Sequence, residues 1–286
     1  MRHPILISIC ASAAMVLSAC DKGPTGEEVD RAFQDLNVVD DSNLNDVMLN
    51  MADPNEAVAY FKRTASEQPD RIDLQRGLGQ SLVRAKRNTE AVAVWQKVVD
   101  HPEANNEDRI NLADALIRNN EWTRADTMLD SVPPTHETYQ RYRLEAMIAD
   151  SEKDWKKADS FYETAVGLTT RPASVMNNWG YSKLTRGDYT GAERLFAEAI
   201  QNDQSLFTAK NNLILARGAQ KKYSLPVIPT NQTERAQLLY TLGLSAVKQG
   251  DTTIGKGLLR EAVDTHPRHF EDAARSLNAL EANVTN

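Results

Sequence analysis

Four positions recur along this chain at a spacing of about 34 residues, and that recurrence limits the fold more than any other feature. In a frame where Gly180 is position 8, Ala192 falls at 20, Phe196 at 24 and Ala199 at 27. Gly79, Ala91, Trp95 and Val98 repeat the set, as do Ala113, Ala125, Leu129 and Val132, then Ala146, Ala158, Tyr162 and Ala165. Gly243, Gly255, Leu259 and Ala262 follow, with Pro267 at position 32. The earliest copy keeps Ala57, Phe61 and Pro69 at 20, 24 and 32. Such spacing suits two antiparallel helices per repeat. Small residues at 8 and 20 let the helices approach, and a large one at 24 fills the space toward the next repeat. Proline near 32 ends the second helix because it lacks an N–H and disfavours the α-region before it. One hairpin cannot bury its apolar face alone, so neighbours must stack.

The stretch Trp179 to Ile200 resembles the tetratricopeptide (TPR) motif. That resemblance implies an all-α fold: seven TPR helical-hairpin repeats over residues 38–268, stacked into a right-handed superhelix with a concave groove. Turns such as Thr185-Arg186-Gly187-Asp188 and Lys248-Gln249-Gly250-Asp251 would join the helices. The segment His269 to Val284, with Phe270, Ala274, Leu277 and Leu280, reads as a C-terminal capping helix within 269–286. With 13 Gly, 11 Pro and 6% aromatics, the composition also leans helical. One repeat departs from the pattern. After a first helix expected over Leu206–Lys222, Leu225-Pro226-Val227-Ile228-Pro229-Thr230-Asn231 carries two prolines that forbid a regular helix. An extended strap within 223–233 is expected there, either as a decayed repeat or as a hinge or docking edge.

The N-terminus reads as an export signal. Arg2 precedes an uncharged apolar run, Ile5 to Leu17, too short for a membrane span of roughly 20 residues. Leu17-Ser18-Ala19-Cys20 resembles the bacterial lipobox. Residues 1–19 would then be a lipoprotein signal peptide, and Cys20 the lipidated N-terminus of a segment at 20–37 comprising a tether and a short helix. Cys10 would leave with the signal, so the mature body would hold no free thiol. Acyl chains contribute about 0.8 kcal/mol per buried CH₂ and would hold the protein on a membrane. The periplasmic face of the outer membrane is the favoured address. Asp21, directly after the cysteine, resembles an inner-membrane retention signal of enteric bacteria and keeps that membrane open.

In the TPR fold, positions 2, 5, 6, 9 and 12 of each first helix line or approach the groove. Here they offer Arg76, Gln80, Asn111, Asp114, Arg143, Asn177, Asn178, Tyr181, Asn211, Asn212 and Tyr240 as partner-binding candidates. Asparagine recurs at position 6 in Asn111, Asn178 and Asn212. An amide donates and accepts together, as a peptide backbone does. A similar asparagine ladder holds extended peptides in some TPR superhelices. The plainer alternative is that these amides bond between helices.

No phosphate loop, Cys-x-x-Cys pair or nucleophile elbow is present. Gly77-Leu78-Gly79 sits inside a helix, and His266 and His269 straddle Pro267 at a repeat boundary, so neither a metal nor a cofactor is expected. The net charge of −7 argues against nucleic acid. The chain is expected not to be an enzyme and to take no small-molecule substrate; its expected partners are a protein and, through the anchor, a membrane. The run from Leu225 through Thr233-Glu234-Arg235-Ala236-Gln237 to Gly255-Lys256-Gly257-Leu258-Leu259 resembles TadD-type lipoproteins of the tight-adherence (Flp) pilus system. The resemblance implies a lipid-anchored assembly factor that helps a secretin localise or multimerise. Another envelope TPR adaptor, serving β-barrel assembly or cell-wall hydrolases, is the alternative.

Overall fold

A computed structural model describes residues 44–282. Within that range the chain is helical throughout, with no strand among the described residues. It divides into two compact units, one ending at Arg87 and one beginning at Asn88. The signal segment 1–19, Cys20, the tether of 20–37 and the tail at 283–286 lie outside the described residues.

The first unit contains a helical stretch at 44–50, then α1 (Pro54–Glu67) and α2 (Ile72–Arg84). Asp53 starts α1 by accepting from the backbone N–H groups of Asn55 and Glu56, and Pro54 supplies a preset φ. Phe61 of α1 is buried directly over Gly77 of α2, where an added Cβ would stand 2.4 Å from the ring. The Gly77-Leu78-Gly79 run is therefore packing, not a phosphate cradle. Arg84 donates to the carbonyls of Met48, Leu49 and Ala52 and so satisfies the end of the 44–50 stretch.

The second unit runs α3 (Asn88–Val99), α4 (Asn106–Arg118), α5 (Trp122–Asp130), α6 (Tyr139–Ser151), α7 (Trp155–Gly167), α8 (Ala173–Thr185) and α9 (Tyr189–Asn202). It continues with α10 (Phe207–Ala219), α11 (Gln232–Lys248), α12 (Thr252–Thr265) and α13 (Glu271–Ala282). Each helix packs on the next, and first helices two apart also touch, α4 with α6 and α8 with α10. This is a stack of helical hairpins. Its core is the column of large residues at position 24: Trp95, Leu129, Tyr162, Phe196 and Leu259 are each at most 1% exposed. Phe196 lies over Gly180 of its own hairpin and packs against Ala209, Leu213 and Ala216 of the next first helix. Gly255 and Gly243 meet backbone to backbone; a Cβ on Gly255 would lie 2.9 Å from the Gly243 carbonyl oxygen.

The hairpin turns share one geometry. Position 15 is left-handed at Lys86, Asn120, Lys153, Gly187, Lys221 and Gly250, with φ between 58° and 86°. The next residue's N–H returns to a carbonyl five residues back, as in Asp154 to Ala149, Asp188 to Lys183 and Asp251 to Ala246. This is a Schellman ending. Asp154 and Asp188 then cap α7 and α9 by accepting from the N–H groups of Lys157 and Gly191.

The repeat after α9 fails at that step. Its turn forms at Lys221, but Lys222 stands where those hairpins place the capping aspartate, and Pro226 falls at position 20, inside what would be the second helix. The chain from Ser224 to Asn231 is non-helical. Ile228 packs on the Phe196 cluster, and Leu225 on clusters built by α10, α11 and α12. Tyr223 donates to Asp251 at 2.6 Å. The next frame begins five residues early, so α10 packs straight against α11, with Gly218 close to Ser245. Lys210, 2% exposed, pairs with Glu234 at 3.0 Å at the foot of α11. At the C-terminal end, Ala273 of α13 and Phe270, just before that helix, pack against α11 and α12. No helix among the described residues is long and apolar enough to cross a membrane.

Two outcomes follow from this packing. Gly180→Leu should displace Phe196 and lower stability by about 1–3 kcal/mol, seen as a lower thermal midpoint. Lys153→Gly should raise stability by about 0.5–1 kcal/mol by relieving a left-handed non-glycine residue; chemical denaturation would measure it.

Candidate functional site

Four of the candidate residues meet at one place. Asn177, Asn178 and Tyr181 of α8 and Asn212 of α10 line a cleft of about 500 Å³. Met147, Asp150 and Ser151 of α6 and Ser182 of α8 complete its floor, and Trp122 and Trp155 stand on its walls. Tyr181 is 54% exposed at the rim. Both tryptophans begin second helices, at position 17 of their repeats.

The amides bond between helices while lining the cleft. Asn212 is buried and donates to the Asn177 side-chain oxygen at 3.0 Å, joining α10 to α8. Asn178 reaches back to α6, where it meets only the Met147 sulfur at 3.8 Å, a weak acceptor. Asn211 accepts from the Thr241 hydroxyl at 2.8 Å and belongs to the α10–α11 contact instead.

The other candidates stand elsewhere. Arg143 pairs with Asp114 at 3.0 Å, tying α6 to α4, and Arg118 holds the second oxygen of Asp114 at 2.6 Å. Tyr240 packs on Phe270, just before the C-terminal helix, with ring centroids 5.3 Å apart. Asn111 is half-buried on α4. Arg76 and Gln80 lie on α2 in the first unit, the former half-buried and the latter exposed. His266 contacts the Arg268 backbone and Phe270, and His269 pairs with Glu271 at 2.9 Å.

Beneath the cleft, two carboxylates respond to opposite environments. Asp150 accepts from the Ser182 hydroxyl at 2.6 Å and the Tyr162 hydroxyl at 2.9 Å. Burial pushes its carboxyl above the usual range, and the two hydroxyls and the Arg186 charge do not fully offset that. Tyr162 is raised as well, by burial first and then by its neighbour Asp150. Burial also acts on Asp159, but there the Trp179 indole and Arg186 guanidinium, each at 2.6 Å, and Lys183 hold the carboxyl below the usual range. Tyr162 and Trp179 stack with centroids 6.2 Å apart, and Arg186 lies over the Trp155 ring at 5.7 Å. The seam between hairpins α6–α7 and α8–α9 is thus aromatic and ionic, which stiffens the cleft floor.

Trp122, Trp155, Met147 and Asp150 were not among the sequence candidates. Met147 and Asp150 sit at groove positions 9 and 12, so their places in the frame carried a signal. The tryptophans carried a subtler one, an aromatic residue at position 17 that recurs as Tyr189 and Tyr223.

Residues 47–108 match the family model described as tetratricopeptide repeat. The fold is a tetratricopeptide repeat array. Solved structures agree across most of the chain. A TPR protein from Parabacteroides merdae ATCC 43184 is 13% identical with a TM-score of 0.52, covering 84% of this chain and 96% of its own. A chain of the APC/C hetero-tetramer Cut9–Hcn1 is 13% identical with a TM-score of 0.59 over 82% of this chain, which spans 48% of that longer one. Human IFIT1, solved as a dimer with m7Gppp-AAAA, is 12% identical with a TM-score of 0.59, covering 82% of this chain and 61% of its own. At such identities the likeness is one of fold. No curated protein matches the chain in sequence.

The carboxylates set a pH signature. Asp159, lowered on folding, contributes stability above the usual carboxylate range near pH 4 that is lost as pH falls through its lowered value. Asp150, raised on folding, contributes in acid and loses that contribution as pH rises through its raised value. Asp159→Asn should therefore flatten the acid limb of a stability–pH profile, and Asp150→Asn the slope just above pH 4. Denaturant midpoints from pH 3 to 7 would show each change.

Proposed function

We propose that this TPR array is a lipid-anchored scaffold that grips a segment of another protein and helps assemble a pilus or secretion machine in the cell envelope. TPR arrays are typically non-catalytic scaffolds that bind protein partners. The observation that carries the reading is the cleft, where Asn177, Asn178, Tyr181 and Asn212 from two stacked first helices face one opening between tryptophan walls. Aromatic side chains offer contact area at low entropic cost, and unspent amide groups can bond a peptide backbone.

The address and the partner rest on the sequence. Leu17-Ser18-Ala19-Cys20 supports lipidation at Cys20, and export would place the body at the periplasmic face of the outer membrane, or at the inner membrane if Asp21 acts as a retention signal. The resemblance to TadD-type lipoproteins supports a secretin or another pilus component as the partner. The array would then hold a secretin segment while the acyl chains hold the array on the membrane.

Crosslinking in cells, with mass spectrometry of the captured polypeptides, tests the partner. Recovery of a secretin or pilus component is expected, and Tyr181→Ala combined with Asn178→Ala should lower the yield while the circular dichroism spectrum is unchanged. Recovery of barrel-assembly or cell-wall enzymes without a secretin would instead support an envelope adaptor of that kind. Cys20→Ala should move the protein from the membrane fraction to the soluble fraction.

A further inference from the structure

One carboxylate in the cleft makes no ion pair among the described residues, although the Arg186 charge acts on it from further off. Three carboxylates at the seams of the second unit are paired with two cations each: Asp159 with Lys183 and Arg186, Asp114 with Arg118 and Arg143, and Glu193 with Arg217 and Lys222. Asp150 differs. It is half-buried on the cleft floor and receives only the neutral hydroxyls of Ser182 and Tyr162. No lysine, arginine or histidine among the described residues lies within ion-pair distance of it. A half-buried carboxylate whose hydrogen bonds come only from neutral hydroxyls is costly, and an arriving cation would offset that cost.

The walls suit the rest of a basic side chain. Trp122, Trp155 and Met147 offer apolar surface to a hydrocarbon stem, and Tyr181 adds a ring at the rim. Tryptophan faces attract cations, and Trp155 already carries the Arg186 guanidinium at 5.7 Å. Asn178, bonded only to a sulfur, keeps amide capacity for the main chain on either side. An acidic segment would meet Asp150 with like charge, and a wholly apolar one would leave the carboxylate buried without compensation.

We propose that the cleft recognises an extended segment of the partner through a lysine or arginine whose head group pairs with Asp150 while its stem lies between Trp122 and Trp155. This rests on the scaffold reading and assigns its partner a chemistry. The ion pair supplies selectivity, and the amides and aromatic walls supply the remaining affinity.

The test uses the full chain in detergent micelles and two blocked pentapeptides, four alanines around a central lysine or norleucine. Norleucine keeps the stem and removes the charge. Binding would be followed by tryptophan fluorescence, because Trp122 and Trp155 line the site. The lysine peptide should bind about tenfold more tightly than the norleucine peptide, and Asp150→Asn, which keeps one of the two acceptor oxygens that Ser182 and Tyr162 use, should abolish the difference. Equal affinity of the two peptides for the unaltered protein would overturn the proposal, even if Asp150→Asn failed to fold. So would a preference that survives Asp150→Asn, or no binding of either peptide. If both peptides bind alike and Asn178→Ala weakens both, the scaffold reading stands and only the basic-residue assignment fails. If neither binds, the basic-residue assignment fails and the scaffold reading is decided by crosslinking in cells.

Discussion

Close approach between helices, bought by missing side chains, is the constraint behind every other feature of this array. Phe196 can sit at the centre of its hairpin only because Gly180 offers no Cβ, and Phe61 sits over Gly77 for the same reason. Alanines at position 20 extend the rule, with Ala57, Ala91, Ala125, Ala158 and Ala192 all fully buried. One large residue per hairpin then reaches both its own first helix and, as Phe196 shows, the next one. Burying an aromatic side chain of this kind contributes a few kcal/mol, and removing it leaves a cavity that costs about as much again. Stability is therefore distributed along the stack, one position-24 residue at a time.

The same rule explains how the array tolerates a broken member. Pro226 cannot occupy position 20 of a helix, so the chain runs non-helical from Ser224 to Asn231. Ile228 still reaches the Phe196 cluster, and Leu225 fills space among α10, α11 and α12. The role of a second helix is filled by two anchoring side chains and by the shortened spacing that lets α10 meet α11. Arg217 and Lys222, both on Glu193, pin the start of this strap to α9.

The cleft is a by-product of that stacking. First helices α6, α8 and α10 contribute the floor, and the starts of α5 and α7 contribute the tryptophans. Asn212, itself buried, donates to Asn177 and joins two repeats, and both side chains line the cleft. The stacked Tyr162–Trp179 pair and the Asp159–Arg186 contact hold the floor beneath. A pre-formed site of this kind loses less conformational entropy on binding than a mobile one.

The hairpin fold was legible from a few positions, because small and large residues at fixed spacing leave a helix pair few ways to pack. The failure of one second helix was legible too, since two prolines act locally. The export signal and Cys20 are sequence features only, as they lie outside the described residues. The site was half legible. A groove position names a helix face, but which faces meet depends on the register between neighbouring hairpins, and that placed Asn177, Asn178, Tyr181 and Asn212 together while sending Tyr240 to the capping helix and Arg143 to Asp114. The sequence by itself determined the repeat, its turns and its point of interruption, which follow from local sterics and spacing. Only the tertiary structure decided that Trp122, Trp155 and Asp150 line one cleft and that this carboxylate takes its hydrogen bonds from two neutral hydroxyls, because burial and pairing are properties of residues far apart in the chain.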